Sequence, residues 1–219
     1  METSNATSRQ ERGLDYRAEI DSLRAIAIIP VVVFHLNPTH LRGGYLGVDV
    51  FFVLSGYLIS AILLRDMDLG VFGMRRFYAR RIRRLVPVIL SVVVATLLVA
   101  NFFLVDGQRV YVAKQAIAAL VSVSNVFVWR STGDYWGPTA ESTALLHTWS
   151  LSVEEQFYLI FPVVLALVHR CMPRRVTAFF LFVIATSGLG YLIIVAARPS
   201  AAFYLLPTRA WELACGGLL

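Results

Sequence analysis

LVPVILSVVVATLLVANFFLV, residues Leu85–Val105, carries no charged side chain along its 21 positions. A helix needs about 20 mainly apolar residues to cross the hydrocarbon core of a bilayer, and this run supplies them. Directly before it stands FYARRIRRLVP, Phe77–Pro87, with Arg80, Arg81, Arg83 and Arg84 packed into five positions. A dense cationic block abutting an uncharged run is the pattern of a membrane-spanning helix and its flank.

Similar runs recur outward from this one. Ile20–Leu36, Gly47–Leu64, Trp149–Val168 and Val176–Ala197 are candidate spans, and a last begins near Phe203 and is still running at Leu219. The fold class expected is all-α: a polytopic transmembrane helix bundle, truncated because its last run meets the end of the sequence without a cap or polar tail. Composition agrees. Of 219 residues, 58% are hydrophobic and 16% charged, whereas soluble domains carry about 25% charged residues. Met1–Glu19 has none of the ordered regions of a signal peptide and reads as a polar tail ahead of a membrane domain from Ile20 onward.

The formal charge is +6. It points to anionic partners, either membrane lipid head groups or phosphorylated substrates, and away from nucleic acid, because the arginines lie beside spans. Cys171 and Cys215 make no disulfide framework. There is no zinc spacing, P-loop or dinucleotide fingerprint, so no metal site is expected.

Arginine placement orients the chain. Arg65–Arg84 holds seven arginines against Asp66 and Asp68, which the positive-inside rule assigns to the cytoplasm of a cell inner (plasma) membrane. The N-terminus, with Arg9, Arg12 and Arg17, falls on the same side two spans earlier. Tyr111–Arg130 is ambiguous. Lys114, Gln115, Ser122, Ser124 and Asn125 are costly in lipid. If the segment spanned, the basic loop His169–Arg175 would fall outside. It is therefore expected to be a surface or re-entrant element in a long external loop, Asp106–Leu146.

Ionisable groups at membrane depth each need a reason. Asp21, Arg24 and His35 share the first span. Arg24 and His35 differ by about 20° in azimuth and ~16 Å along the axis. His35 is either an interfacial histidine bonded to a carbonyl or a general base. Asp49 lies at a similar depth in the next span. It either holds the His35 imidazole, pairs with Arg42, or caps a helix. Arg81 and Arg84 share a helical face and suit phosphate, though the block also serves as a topology signal on anionic lipid. Glu154 and Glu155 head an apolar run. His147 lies about 20° from Glu154 in projection, and Glu155 points about 100° away, so the two carboxylates need not share a role. Arg209 and Glu212 are spaced as an ion pair and also suit a cavity wall. Trp149, Tyr135 and Trp136 either stack on sugar faces or belong to an interfacial belt.

EIDSLRAIA, Phe34-His35, GGYLGVDVFFVLSGYLIS, RRIRRLVP, LLHTWSLSVEEQFYLIFP and RAWELACG occur in that order. Together they resemble the acyltransferase-3 family of membrane O-acyltransferases, from about Ile20 to the end. The match is to the N-terminal part of the family's membrane domain. The resemblance implies transfer of an acyl, typically acetyl, group from acyl-CoA to a hydroxyl of an extracytoplasmic carbohydrate such as O-antigen, peptidoglycan or exopolysaccharide. It implies that His35 is the essential histidine, that Arg24 is the arginine of an LR motif, and that Arg81 and Arg84 belong to an RRxxR motif. Glu154 and Glu155 match the VEEQF carboxylates. Acyl-CoA is then the donor substrate, with no permanently bound cofactor. Relatives with these motifs often continue into an SGNH-type extracytoplasmic domain. In combination, the residues suggest that Arg80, Arg81 and Arg84 grip coenzyme A phosphates, Arg24 borders the path, and His35, oriented by Asp49 or Glu154, activates the acceptor. The alternatives are a lipid-linked sugar transporter and an inactive membrane scaffold.

Overall fold

The computed structural model describes residues 18–37, 39–132 and 143–219. The N-terminal tail, the side chain of Asp21, and Tyr135 and Trp136 lie outside the described residues. Among those described the chain is helical throughout, with no strand. The helices are α1 (Ala18–Leu36), α2 (Leu46–Asp68), α3 (Met74–Phe103), α4 (Asp106–Leu120), α5 (Ser124–Thr132), α6 (Thr148–Cys171), α7 (Val176–Val195), α8 (Pro199–Tyr204) and α9 (Leu206–Leu218), with a 3-10 turn at Pro173–Arg175. Four segments are long and apolar enough to cross a membrane: α2, α3, α6, and Pro173–Val195 containing α7.

Two boundaries differ from the sequence expectation. α3 begins at Met74, well ahead of Leu85. No Gly or Pro interrupts Met74–Val86, and Arg and Ala are strong helix formers, so the arginine block rides on the helix. The connecting loop shrinks to Leu69–Gly73, where Gly70 at φ 66° makes the turn that residues with a Cβ resist. The last helix starts at Leu206 with Pro207 in its first turn, a position that tolerates a missing N–H.

Successive long helices run back and forth between two ends. At the basic end His169 Nε2 meets Asp68 Oδ1 at 2.9 Å, and Arg80 meets Asp66 at 3.5 Å. The opposite, far end holds His35, the start of α2 and the start of α6. Lipid supplies no hydrophobic drive between helices, so close approach and van der Waals contact must hold them. α1 lies on α2 where Gly47 faces the Ala27 carbonyl, and α2 lies on α9 where Gly56 faces the Leu213 backbone. No side chain fits at either crossing. The main core joins α2, α6, α7 and α9 through Phe52, Trp149, Phe161, Phe180 and Leu213. Outward faces carry Phe102, Phe103, Leu192 and Ile193, all widely exposed as a lipid-facing surface requires.

α4 and α5 are too short to span. They form a hairpin that enters from the far end and turns at Ser122, whose φ is 57°. Protein groups bond several of its polar atoms, while Gln115 Nε2 is buried without a partner among the described residues. Gln156 Nε2 donates to the Ser122 carbonyl and to Asn125 Oδ1, both at 2.8 Å. Asn125 Nδ2 donates to the Tyr204 carbonyl at 3.1 Å, and the Ser124 N–H to Ser152 Oγ at 3.1 Å. Gln115 Oε1 accepts from the Leu145 N–H at 3.0 Å. Of the residues that argued against a span, Ser122, Ser124 and Asn125 fasten the hairpin to α6 and α8, and Gln115 fastens it to Leu145.

Candidate functional site

His35 stands near the end of α1, exposed, with its ring edge-on to Phe34. Its Nδ1 lies 2.8 Å from the Val31 carbonyl. A carbonyl only accepts, so Nδ1 carries the hydrogen, and the neutral ring keeps the Nε2 lone pair free. Bonding to a carbonyl and acting as a base are thus compatible at one residue. His147 stands at the N-cap of α6, just outside that span, with no capping bond from its side chain. The residue is exposed at the surface. Partial desolvation pushes its pKa below the ordinary histidine value, and positive charge on nearby His35 acts in the same direction.

Asp49, one turn into α2, contacts neither His35 nor Arg42. Its Oδ1 accepts from Arg209 Nη1 at 2.8 Å. The same nitrogen donates to Glu212 Oε1 at 2.6 Å, and Arg209 Nε donates to the Phe203 carbonyl at 2.9 Å. The guanidinium also lies 4.6 Å from the centre of the Phe203 ring. Arg209 and Glu212 are buried, and Glu212 Oε2 has no hydrogen-bond partner among the described residues. The expected pair therefore forms, with Asp49 as a third member that ties α9 to α2. Two carboxylates share one guanidinium.

A second arginine cluster forms between α3 and α6. Arg81 Nη2 donates to Glu155 Oε1 at 3.2 Å. Its guanidinium lies 3.5 Å over the Tyr158 ring, a contact worth about 2 kcal/mol when desolvated. The Tyr158 hydroxyl donates to Glu154 Oε1 at 2.6 Å and approaches the Ser55 carbonyl of α2 at 3.3 Å. Nearby, the Tyr78 hydroxyl donates to the Leu159 carbonyl at 2.7 Å, a second tie between α3 and α6. Glu154 and Glu155 diverge: Glu155 binds the cation directly, while Glu154 binds the phenol beneath it.

The other candidates scatter. Arg24 packs over Phe51 at 4.9 Å on the α1–α2 seam. Arg83 and Arg84 are exposed on α3 and make no ion pair among the described residues. Trp149 is buried against Phe52, Phe203 and Tyr204, which makes it a core residue. No group of three or more His, Cys, Asp or Glu among the described residues is arranged to hold a metal. Sequence reasoning passed over Tyr158. Its i, i+4 spacing from Glu154 was the available signal, because that spacing stacks two side chains on one helical face.

A family model described as an acyltransferase domain, Acyl_transf_3, matches residues 17–219. The chain is 36% identical over 209 residues to O-acetyltransferase OatA of Staphylococcus aureus strain NCTC 8325 / PS 47, covering 93% of this chain and 34% of that protein. The same identity and coverage hold for O-acetyltransferase OatA of strain COL. The chain thus spans about a third of the length of these curated relatives. No solved structure matches it.

Proposed function

The chain belongs to the acyltransferase-3 family, and from that premise we propose that it is a membrane O-acyltransferase. It moves an acetyl group from acetyl-CoA to a hydroxyl of an extracytoplasmic carbohydrate: peptidoglycan, O-antigen or exopolysaccharide. The observation that carries the reading is His35, exposed at the far end with Nδ1 occupied by the Val31 carbonyl and Nε2 left as the free base.

The chemistry follows from that tautomer. His35 Nε2 takes the proton from the acceptor hydroxyl as the oxygen attacks the thioester carbonyl. The tetrahedral adduct collapses, the C–S bond breaks, and the departing thiolate receives the proton from the imidazolium to leave as coenzyme A. The ester remains on the sugar. Arg80, Arg81 and Arg84 hold the donor's phosphates at the basic end, which is then cytoplasmic with the N-terminus. Arg24 borders the path between the ends. His147, beside His35, faces the acceptor. Asp49, Arg209 and Glu212 hold the α2–α9 joint on which the site is built. The greater length of the relatives accommodates further helices and an SGNH-type domain.

Purified protein in proteoliposomes, given labelled acetyl-CoA inside and a glycan acceptor outside, tests this. Wild type should form labelled ester. His35→Ala should lose about 10²–10⁴-fold of the rate with unchanged membrane abundance. Full activity in that variant overturns the mechanism. Movement of label across the membrane without ester formation favours a transporter.

A further inference from the structure

Arg81 differs from its neighbours in how firmly it is held. Arg83 and Arg84 are exposed and unpaired among the described residues, and Arg80 has one contact, 3.5 Å to Asp66, with 49% of its side chain open. Arg81 has a carboxylate on its edge, Glu155 Oε1 at 3.2 Å, and an aromatic ring 3.5 Å beneath its face. The ring is held in turn. Tyr158 is 3% exposed, and its hydroxyl donates to Glu154 at 2.6 Å.

The donors of a guanidinium all lie in its plane. A ring stacked on the face therefore restrains the group without consuming a donor. Arg81 Nε and Nη1 make no hydrogen bond among the described residues, and 28% of the side chain remains open. A flexible arginine must surrender rotamer freedom when it grips an anion, and one already restrained surrenders less. A buried phenol needs a partner for its hydroxyl. Glu154 is that partner, which gives this carboxylate a task at a place where it touches no cation.

We infer that Tyr158, anchored by Glu154, is a positioning residue that presets the Arg81 guanidinium to receive a phosphate of acyl-CoA. The inference rests on the donor role proposed above and extends it to a residue outside the arginine motif. The free donors of Arg81 take the phosphate oxygens, while Glu155 and the Tyr158 ring fix the plane in which they point.

Two measurements on purified protein in nanodiscs decide it. The first is KM and kcat for acetyl-CoA, with direct coenzyme A binding, in wild type, Tyr158→Leu and Tyr158→Phe. Losing the ring should raise KM about 10-fold with kcat changed by less than about twofold. Losing only the hydroxyl should raise KM about threefold. The second is phenylglyoxal labelling read by peptide mass spectrometry, with Arg83 as internal reference. Arg81 should label slowly in wild type and approach the Arg83 rate in Tyr158→Leu. If the leucine variant does not fold, Tyr158→Phe carries both readouts with smaller shifts. Unchanged KM, a fall in kcat alone, or unchanged Arg81 labelling overturns the inference. If wild type binds no coenzyme A, the donor reading and the phosphate assignment fall together, while the labelling ratio still decides whether Tyr158 holds Arg81.

Discussion

The two arginine clusters use the same chemistry to opposite ends. At Arg209 two carboxylates, a carbonyl and a phenyl ring close around a guanidinium whose side chain is 7% exposed. At Arg81 one carboxylate and one ring leave 28% of the side chain open and two nitrogens without partners among the described residues. A cation surrounded on all sides can only join helices. One restrained from a face and a single edge can also meet a ligand. Burial and partner count, more than residue type, separate joint from binding group.

The sharpest way to break this contrast is Arg209→Ala. Asp49 and Glu212 would be left as unpaired carboxylates in the bundle, a loss of about 3–5 kcal/mol. Thermal unfolding in detergent should show the protein failing to assemble or melting far earlier. Gly56→Ala comes next, because its Cβ would meet the Leu213 backbone. Forcing α2 and α9 apart costs about 1–3 kcal/mol on the same assay. Arg81→Ala should cost less stability, about 1–2 kcal/mol from the lost ring and carboxylate contacts, and should show chiefly as weaker coenzyme A binding. Equal melting losses for Arg209→Ala and Arg81→Ala would erase the distinction. Glu212→Gln keeps an acceptor for Arg209 and removes the excess negative charge, so its melting point should move by no more than about 1 kcal/mol equivalent.

The smallest effect concerns pH. His147 has a folded pKa below its ordinary value of 6.5, so protonation favours the unfolded or frayed state. Its contribution is complete above pH 6.5 and is lost as pH falls toward the folded value. Amide protection at the first turn of α6, corrected for the intrinsic pH dependence of exchange, should fall as pH drops below 6.5. His147→Gln should flatten that dependence; an unchanged dependence would remove His147 as its source.

Four of the six expected spans were legible in the sequence because crossing a bilayer demands only length and the absence of charge; the first expected span yields only a shorter apolar helix, Ser22–Leu36, and the last a helix of 13 residues. That Tyr111–Arg130 does not span was also foreshadowed, since Gln115, Ser124 and Asn125 are costly in lipid. Where α3 begins was hidden, because arginines beside a span read equally well as loop or helix. The choice of partners was hidden too. Asp49 meets Arg209 across 160 positions, and Arg81 meets Glu155 across 74. Those pairings depend on how each helix is rotated about its axis, and uniformly apolar helices barely record that in their periodicity. Local pairs such as Glu154 with Tyr158 needed no tertiary knowledge.

The α4–α5 hairpin also bears on biogenesis. The groups outside the hairpin that bond the Ser122 carbonyl, Ser124 and the Asn125 side chain belong to α6 or to Tyr204, and both leave the ribosome later. Until α6 has been laterally released, α4 can pack on Ile89 and Val93 of α3, but these polar groups lack their partners and are better solvated at the surface. Seating must therefore follow synthesis order in reverse, with the earlier segment waiting for the later one. Stalled nascent chains ending before Gln156 should keep the hairpin open to water-soluble reagents.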